Sequence, residues 1–175
     1  MNKIFAYGSL INESDLRRTV PEARNILPAK LYGYKRVFDL VSTYRFDPQT
    51  GIPICVLNLH RASSSDFVNG ISFEMDDSSF DDLLEREKAY ELVESNIYNY
   101  NDSGIYCKAN FFISVDYDPY SYLLDSELQQ HYLSLCLQGC YKYGDNFIED
   151  FKRTTFFFGV EYSQYQELIW KNVIE

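Results

Sequence analysis

Ile71, Phe73 and Met75 alternate with Ser72 and Glu74. In an extended chain that alternation puts three large apolar side chains on one face and polar ones on the other, the pattern of a half-buried strand. A strand with one apolar face needs a second layer to cover it, which limits the folds open to the chain. Further strand-like stretches stand at residues 3–7 (closed by Gly8-Ser9), 30–40 and 54–61, and, beyond a helical segment, near 91–98 and 105–115.

The helices carry equally local signals. Asn12 can cap a short helix running to about Thr19, with Asp15 favourably placed in its first turn. Ser78 with Asp81 three residues later makes a capping-box-like start, and Phe80, Leu83 and Leu84 then share one helical face. Over 126–143, Leu128, Tyr132, Leu135, Cys136 and Gly139 form a stripe, and Gly144 stands where a C-terminal cap is expected. Residues 145–153 read as a further helix. Ser163, with Gln166 at capping-box spacing, opens an amphipathic last helix that would bury Tyr165, Leu168, Ile169 and Val173. Strands come mostly first, with helices inserted and appended. That order predicts an α+β fold, a mixed sheet curled into a small barrel with flanking helices. No repeat or Pro/Gly/Ser-rich linker divides the 175 residues, so a single domain over 1–175 is expected. A chain of this length hides roughly 70% of its unfolded surface and needs no staples.

Charge and motif content exclude several functions. A net charge of −10 argues against nucleic acid and anionic membrane surfaces as partners, since both require clustered cations. No apolar run approaches the ~18 residues of a membrane span. Residues 4–11 are apolar but run into Asn12, Glu13, Ser14 and Asp15, with no small-residue cleavage site, so a buried strand is expected there and not a leader. The four cysteines, 55, 107, 136 and 140, form no CxxC pair, which fits a reduced, cytoplasmic protein. His60 and His131 have no Cys or His at metal spacing, so no metal site is expected. Asp116, Asp118 and Glu127 mimic a calcium loop, but Tyr120 and Ser121 occupy positions that such a loop gives to a ligand and a glycine. There is no GxGxxG and no phosphate loop.

Three features could carry chemistry. The stripe of Phe80, Leu83 and Leu84 predicts an inward residue at 87, and that residue is Glu87, followed by Tyr90. A carboxylate facing a core is costly unless paired or protonated, and burial raises its pKa. The structural alternative is a helix-end Glu that reaches water or pairs with an Arg such as Arg36. Next, Phe5-Ala6-Tyr7-Gly8-Ser9-Leu10 is a strand ending in a sharp turn, whose backbone N–H groups can converge on an anion, although such turns are common. Finally, Gly139 inside a helix costs roughly 1 kcal/mol relative to Ala, so close packing or a ligand needs the space. Tyr132, two turns earlier, is either core or a hydroxyl offered to a cavity.

Together these segments resemble the γ-glutamylcyclotransferase family. Tyr7-Gly8-Ser9-Leu10 is similar to its N-terminal substrate loop, and Gly33-Tyr34-Lys35-Arg36-Val37-Phe38 to its G-Y-x-R-x-F segment. Leu83-Leu84-Glu85-Arg86-Glu87 with Tyr90 matches the segment holding the family's catalytic Glu, in the R-E-x-x-Y form of the glutathione-directed branch. Tyr132, Gly139 and Gly144 follow its late Y-x6-G-x4-G pattern, with Cys140 where Ala is usual. The resemblance implies a barrel-like mixed fold and a cofactor-free reaction on a small-molecule γ-glutamyl substrate, the α-amine attacking its own γ-carbonyl to give 5-oxoproline. It implies Glu87 as general base and acid, the Tyr7–Leu10 loop as substrate cradle, and Tyr132 and Arg36 as substrate or carboxylate partners, with pairing on a strand to a nearby acid an equally good reading of Arg36. It leaves open the leaving group and whether the chain is a monomer or a homodimer. Two other readings compete: a non-catalytic metabolite- or partner-binding protein on the same fold, and an oligomerising protein built on the helix from Ser163.

Overall fold

A computed structural model of the chain describes residues 1–88, 90–102, 104–117 and 126–157. In chain order the elements are β1 (Asn2–Ala6), a 3-10 turn (Ser9–Ile11), α1 (Glu13–Thr19), β2 (Arg24–Tyr32), β3 (Tyr34–Phe46), β4 (Pro53–Arg61), β5 (Phe67–Met75), α2 (Asp77–Arg86), β6 (Glu91–Asn99), β7 (Ile105–Ile113), α3 (Glu127–Tyr141), α4 (Asp145–Arg153) and β8 (Thr155–Phe157). The expected last helix from Ser163 lies outside the described residues. None of the described helices is long and apolar enough to cross a membrane.

The fold is α+β. Five strands close a barrel in the order β1-β5-β2-β6-β7, antiparallel throughout except where parallel β1 and β7 meet at Ile4 and Asn110. Ile4, Leu31, Ile71, Phe73, Ile97 and Phe111 are buried on its strands. A smaller sheet, β4-β3-β8, lies beside the barrel, β8 running parallel to β3.

The alternation at 70–75 is real but less amphipathic than the sequence suggests. Ser72 is as buried as Ile71 and Phe73. Asn69, on the Ile71 side of β5, bonds to Arg36 of β3 and to the Phe147 carbonyl of α4, so these cover that face. Ser72 shares the other face with Phe5, its partner on β1. Gly70 lets β1 approach: a Cβ there would sit 2.8 Å from the Phe5 ring and closer still to the Ala6 carbonyl oxygen.

The single strand expected over 30–40 is two strands in different sheets. Gly33, at φ +82°, turns the chain between them. Its N–H donates to the Asp66 carbonyl, and its own carbonyl accepts from Ala62 N–H, both at 2.8 Å. Asn12 caps α1 as expected, its side chain accepting from the N–H groups of Ser14 and Asp15. The start of α2 differs from expectation: Asp76, not Ser78, occupies the cap position, without a side-chain bond to the helix. Gly144 also has another task. Lys142 ends α3, and Gly144, at φ +89°, precedes α4, accepting from Phe147 and Ile148 N–H.

Candidate active site

A cavity of about 100 Å³ opens between the barrel and the side sheet. Its floor is β1 and the bend that follows, from Ile4 to Leu10. Around it stand Ser42 to Tyr44 of β3, Val56 and Leu57 of β4, Phe112 of β7 and Tyr132 of α3, with Leu83, Glu87 and Tyr90 on the last side. Of the residues singled out in the sequence, Tyr7, Gly8, Ser9, Leu10, Glu87 and Tyr132 therefore meet around one hollow.

Glu87 arrives by a route the stripe only partly foretold. The helix stops at Arg86, so Glu87 is the residue capping its C-terminus, at φ −97° and ψ 22°. Its N–H still donates to the Leu83 carbonyl at 2.9 Å, which keeps it below the buried Leu83. Its own carbonyl accepts the Tyr90 N–H at 2.8 Å, turning the chain into β6 and bringing Tyr90 to the same wall. Glu87 is half-buried, and among the described residues lining the cavity it is the one carboxylic acid, with no Lys, Arg or His in that lining.

The bend opposite is short and tight. Ile11 N–H donates to the Gly8 carbonyl and Asn12 N–H to that of Ser9, both at 3.0 Å. In such a turn the first bond is made at Ile11, so the N–H groups of Ser9 and Leu10 have no partner within it. The Tyr7 hydroxyl donates to the Phe112 carbonyl at 2.7 Å. Burial, and then the neighbouring Tyr90 and Glu87, push its pKa well above the ordinary value, so it stays a neutral donor.

Tyr132 is buried, its pKa likewise held well up by burial. Its hydroxyl accepts the Leu57 N–H at 3.5 Å, and a Cβ on Gly8 would lie 3.6 Å from it. Gly139 needs no ligand to explain it. A Cβ there would come within 2.6 Å of the Ile11 carbonyl carbon and nearer still to Asn12 N, so the space is filled by backbone.

Arg36 is elsewhere. It is 0% exposed in the core and does not line the cavity. Its guanidinium donates to the Phe151 carbonyl (3.2 Å), the Thr155 hydroxyl (3.0 Å) and both oxygens of Asn69, and it stacks on the Phe151 ring at 3.9 Å. Strand alternation from Phe38, also buried, turns the Arg36 side chain toward β5 and α4. It ties the side sheet to the barrel, and this overturns its expected contact with substrate.

Ser42, Thr43 and Tyr44 belong to the cavity but carried no sequence signal. They reach it because the β3–β4 ladder breaks: Val41 pairs with Cys55 and Phe46 with Pro53, so residues 42–45 oppose Ile54 alone. Bulges of this kind bend a strand and re-aim its side chains. Gln129 of α3 satisfies the exposed ladder there, accepting the Cys55 N–H at 2.9 Å and donating to the Cys55 carbonyl at 3.0 Å. Among the described residues no three His, Cys, Asp or Glu side chains gather in a way that could hold a metal ion.

No protein-family model matches the chain, and no curated protein matches it by sequence. Solved structures do match. One described as a γ-glutamyl cyclotransferase is 18% identical, with a TM-score of 0.66 over 97% of this chain and 98% of that one. An uncharacterized human protein is 18% identical, with a TM-score of 0.67 over 99% and 98% of the two chains. A yeast γ-glutamyl cyclotransferase described as specific to glutathione is 15% identical, with a TM-score of 0.60 over 87% and 94%. At these identities what is shared is the backbone architecture, the closed barrel with its side sheet and helices: the chain has the γ-glutamylcyclotransferase-like fold.

Proposed function

We propose that the chain is a γ-glutamyl cyclotransferase that converts a γ-glutamyl amino acid or peptide to 5-oxoproline and releases the amine. The observation that carries this reading is Glu87, the one carboxylic acid among the described residues around a cavity that the Tyr7–Leu10 bend also lines. The fold shared with proteins described as γ-glutamyl cyclotransferases supports it.

The chemistry asks for little else. An α-ammonium, with a reference pKa of about 8, is mostly protonated at neutral pH and cannot attack until a base removes a proton. The Glu87 carboxylate accepts that proton. The freed amine attacks the γ-carbonyl, forming the ring C–N bond, and the carbonyl oxygen takes up negative charge beside the Ser9 and Leu10 N–H groups. Glu87 then passes its proton to the departing nitrogen as the old C–N bond breaks. The second proton, shed by the ring nitrogen, follows to the released amine, which leaves as an ammonium, so protons and electrons balance without a co-reactant. Acid–base assistance of this kind is worth roughly 10²–10⁴ in rate. Holding the substrate folded for a five-membered closure can contribute up to ~7–11 kcal/mol more. The apolar walls of the cavity keep water from competing and strengthen the electrostatics inside.

Purified protein given glutathione or γ-glutamyl dipeptides is expected to release 5-oxoproline. Glu87→Gln should lose about 10²-fold or more of that rate while unfolding at a similar temperature. Turnover by Glu87→Gln at the wild-type rate would remove Glu87 from its role, and saturable binding without product would favour a non-catalytic binder.

A further inference from the structure

A second hollow, of about 820 Å³, opens beside the cavity. Thr43, Tyr44 and Leu83 line both, so the two hollows are neighbours that meet at these residues. The outer one is bounded by Arg18 near the end of α1, Arg45 of β3 and Asp82 of α2.

Arg45 is put there by the bulge. With residues 42–45 forced out of the ladder, the Ser42 hydroxyl accepts the Arg45 N–H at 2.9 Å and ties the loop down. The Arg45 guanidinium lies over the rings of Tyr132 (5.3 Å) and Tyr44 (5.4 Å), both of which line the inner cavity. Asp15 stands 3.8 Å from it, too far for a hydrogen bond, while Arg18 takes the other oxygen of the same carboxylate. Two guanidinium groups thus share one buried acid. Arg45 is only 13% exposed, and its Nε has no acceptor. Arg18 and Arg45 are balanced in charge by Asp15 and Asp82, but Arg45 is the partly desolvated cation against the rings of the inner cavity. A guanidinium so held suits one class of ligand, a carboxylate, which its planar fork can meet with two hydrogen bonds.

We propose that the outer hollow receives the departing half of the substrate, and that Arg45 binds the α-carboxylate of an amino-acid or peptide leaving group. The inference rests on the cyclotransferase reading above. It makes Arg45 a specificity-determining residue: γ-glutamyl amino acids and peptides are preferred over γ-glutamyl amines, because the leaving group's carboxylate, one carbon beyond the scissile nitrogen in an amino acid and at the C-terminus in a peptide, meets a cation already in position. Asp82, exposed in the lining of the same hollow, would instead favour a cationic leaving group, so the two charges predict opposite preferences.

The test compares 5-oxoproline release from γ-glutamylalanine, γ-glutamylalaninamide and γ-glutamylputrescine by wild type, Arg45→Gln and Arg45→Lys. Wild-type kcat/KM on γ-glutamylalanine is expected to exceed that on the amide by about tenfold or more, mostly through KM. Arg45→Gln should bring the ratio to within about threefold and Arg45→Lys should restore part of it, as expected for one charge-assisted hydrogen bond. If Arg45→Gln does not fold, the wild-type ratio and Arg45→Lys still decide. Equal wild-type rates on γ-glutamylalanine and its amide, a preference for γ-glutamylputrescine, or a ratio unmoved by Arg45→Gln overturns the inference and leaves the cyclotransferase reading standing. No 5-oxoproline from any of the three, or from glutathione, removes both.

Discussion

Gly139 and Ile11 touch backbone to backbone: a methyl group on the glycine would lie 2.6 Å from the Ile11 carbonyl carbon. Helix α3 therefore rests directly on the chain that leaves the Tyr7–Leu10 bend, and the tyrosine it carries two turns earlier, Tyr132, is set beside Gly8. Gly139→Ala would gain about 1 kcal/mol of helix propensity but must push two backbone segments apart. The clash wins. We expect a net loss of about 2 kcal/mol and a fall in Tm of roughly 4–8 °C, read from thermal melts.

Tyr132 separates packing from chemistry. Its hydroxyl accepts one N–H at 3.5 Å, a long bond, whereas its ring meets Phe38 edge-on at 6.3 Å and supports Arg45. Tyr132→Phe keeps the ring and should cost less than about 1 kcal/mol of stability. If the hydroxyl also touches substrate, kcat/KM falls by about tenfold. A kcat/KM within twofold of wild type would make Tyr132 purely a packing residue.

Arg36 should behave as a structural cation. Arg36→Leu takes the guanidinium donor from Asn69 Oδ1 and Thr155 Oγ1 in a dry interior, each lost bond costing about 1–3 kcal/mol. The Phe151 carbonyl keeps the Thr155 hydroxyl as donor, so a total loss of about 3 kcal/mol is expected in a denaturant titration. At temperatures where the variant is still folded, KM should stay within twofold of wild type. A raised KM at unchanged stability would return Arg36 to the substrate.

The thiols offer a check on the core. Cys55, Cys136 and Cys140 are buried and Cys107 is half-buried. Burial pushes the Cys136 pKa to about 12, and Cys140 is pushed up as well, because the low-dielectric interior disfavours the thiolate. A raised pKa leaves a thiol protonated, and so unreactive, at every pH below it. At pH 8 a thiol reagent should label the native protein at Cys107 alone, and all four sites once it is denatured. Rapid labelling of Cys136 in the native state would contradict the packing of α3.

Much of the fold is legible in the chain because its signals act between near neighbours. Asn12 reaches N–H groups two and three residues on and fixes the start of α1. The residues expected to form a helix at 145–153 form α4 over those same residues. The inward position of residue 87 follows from the stripe at 80, 83 and 84, although the helix ends one residue earlier. Where local signals compete, the reading slips. Glycine favours a helix end on either side, and Gly144, whose N–H donates to the last α3 carbonyl at Tyr141, stands before α4 while Lys142 ends α3. Gly33 breaks what looked like one strand because its positive φ is invisible in a run of apolar residues.

By itself, then, the sequence determined the strands and helices, their apolar faces, and an acid turned inward at 87. Those depend on backbone preference and on side chains a few positions apart. Only the tertiary structure decided that the Tyr7–Leu10 bend, Glu87, Tyr90 and Tyr132 surround one hollow, that Arg36 is bound within the core, and that a bulge brings Arg45 to the neighbouring hollow. The bonds of Arg36 reach partners 115 and 119 residues away, and the ladder break at residues 42–45 exists only because β4 offers Ile54 opposite. A side chain's partner is set by which segments the barrel brings together, and no local periodicity records that.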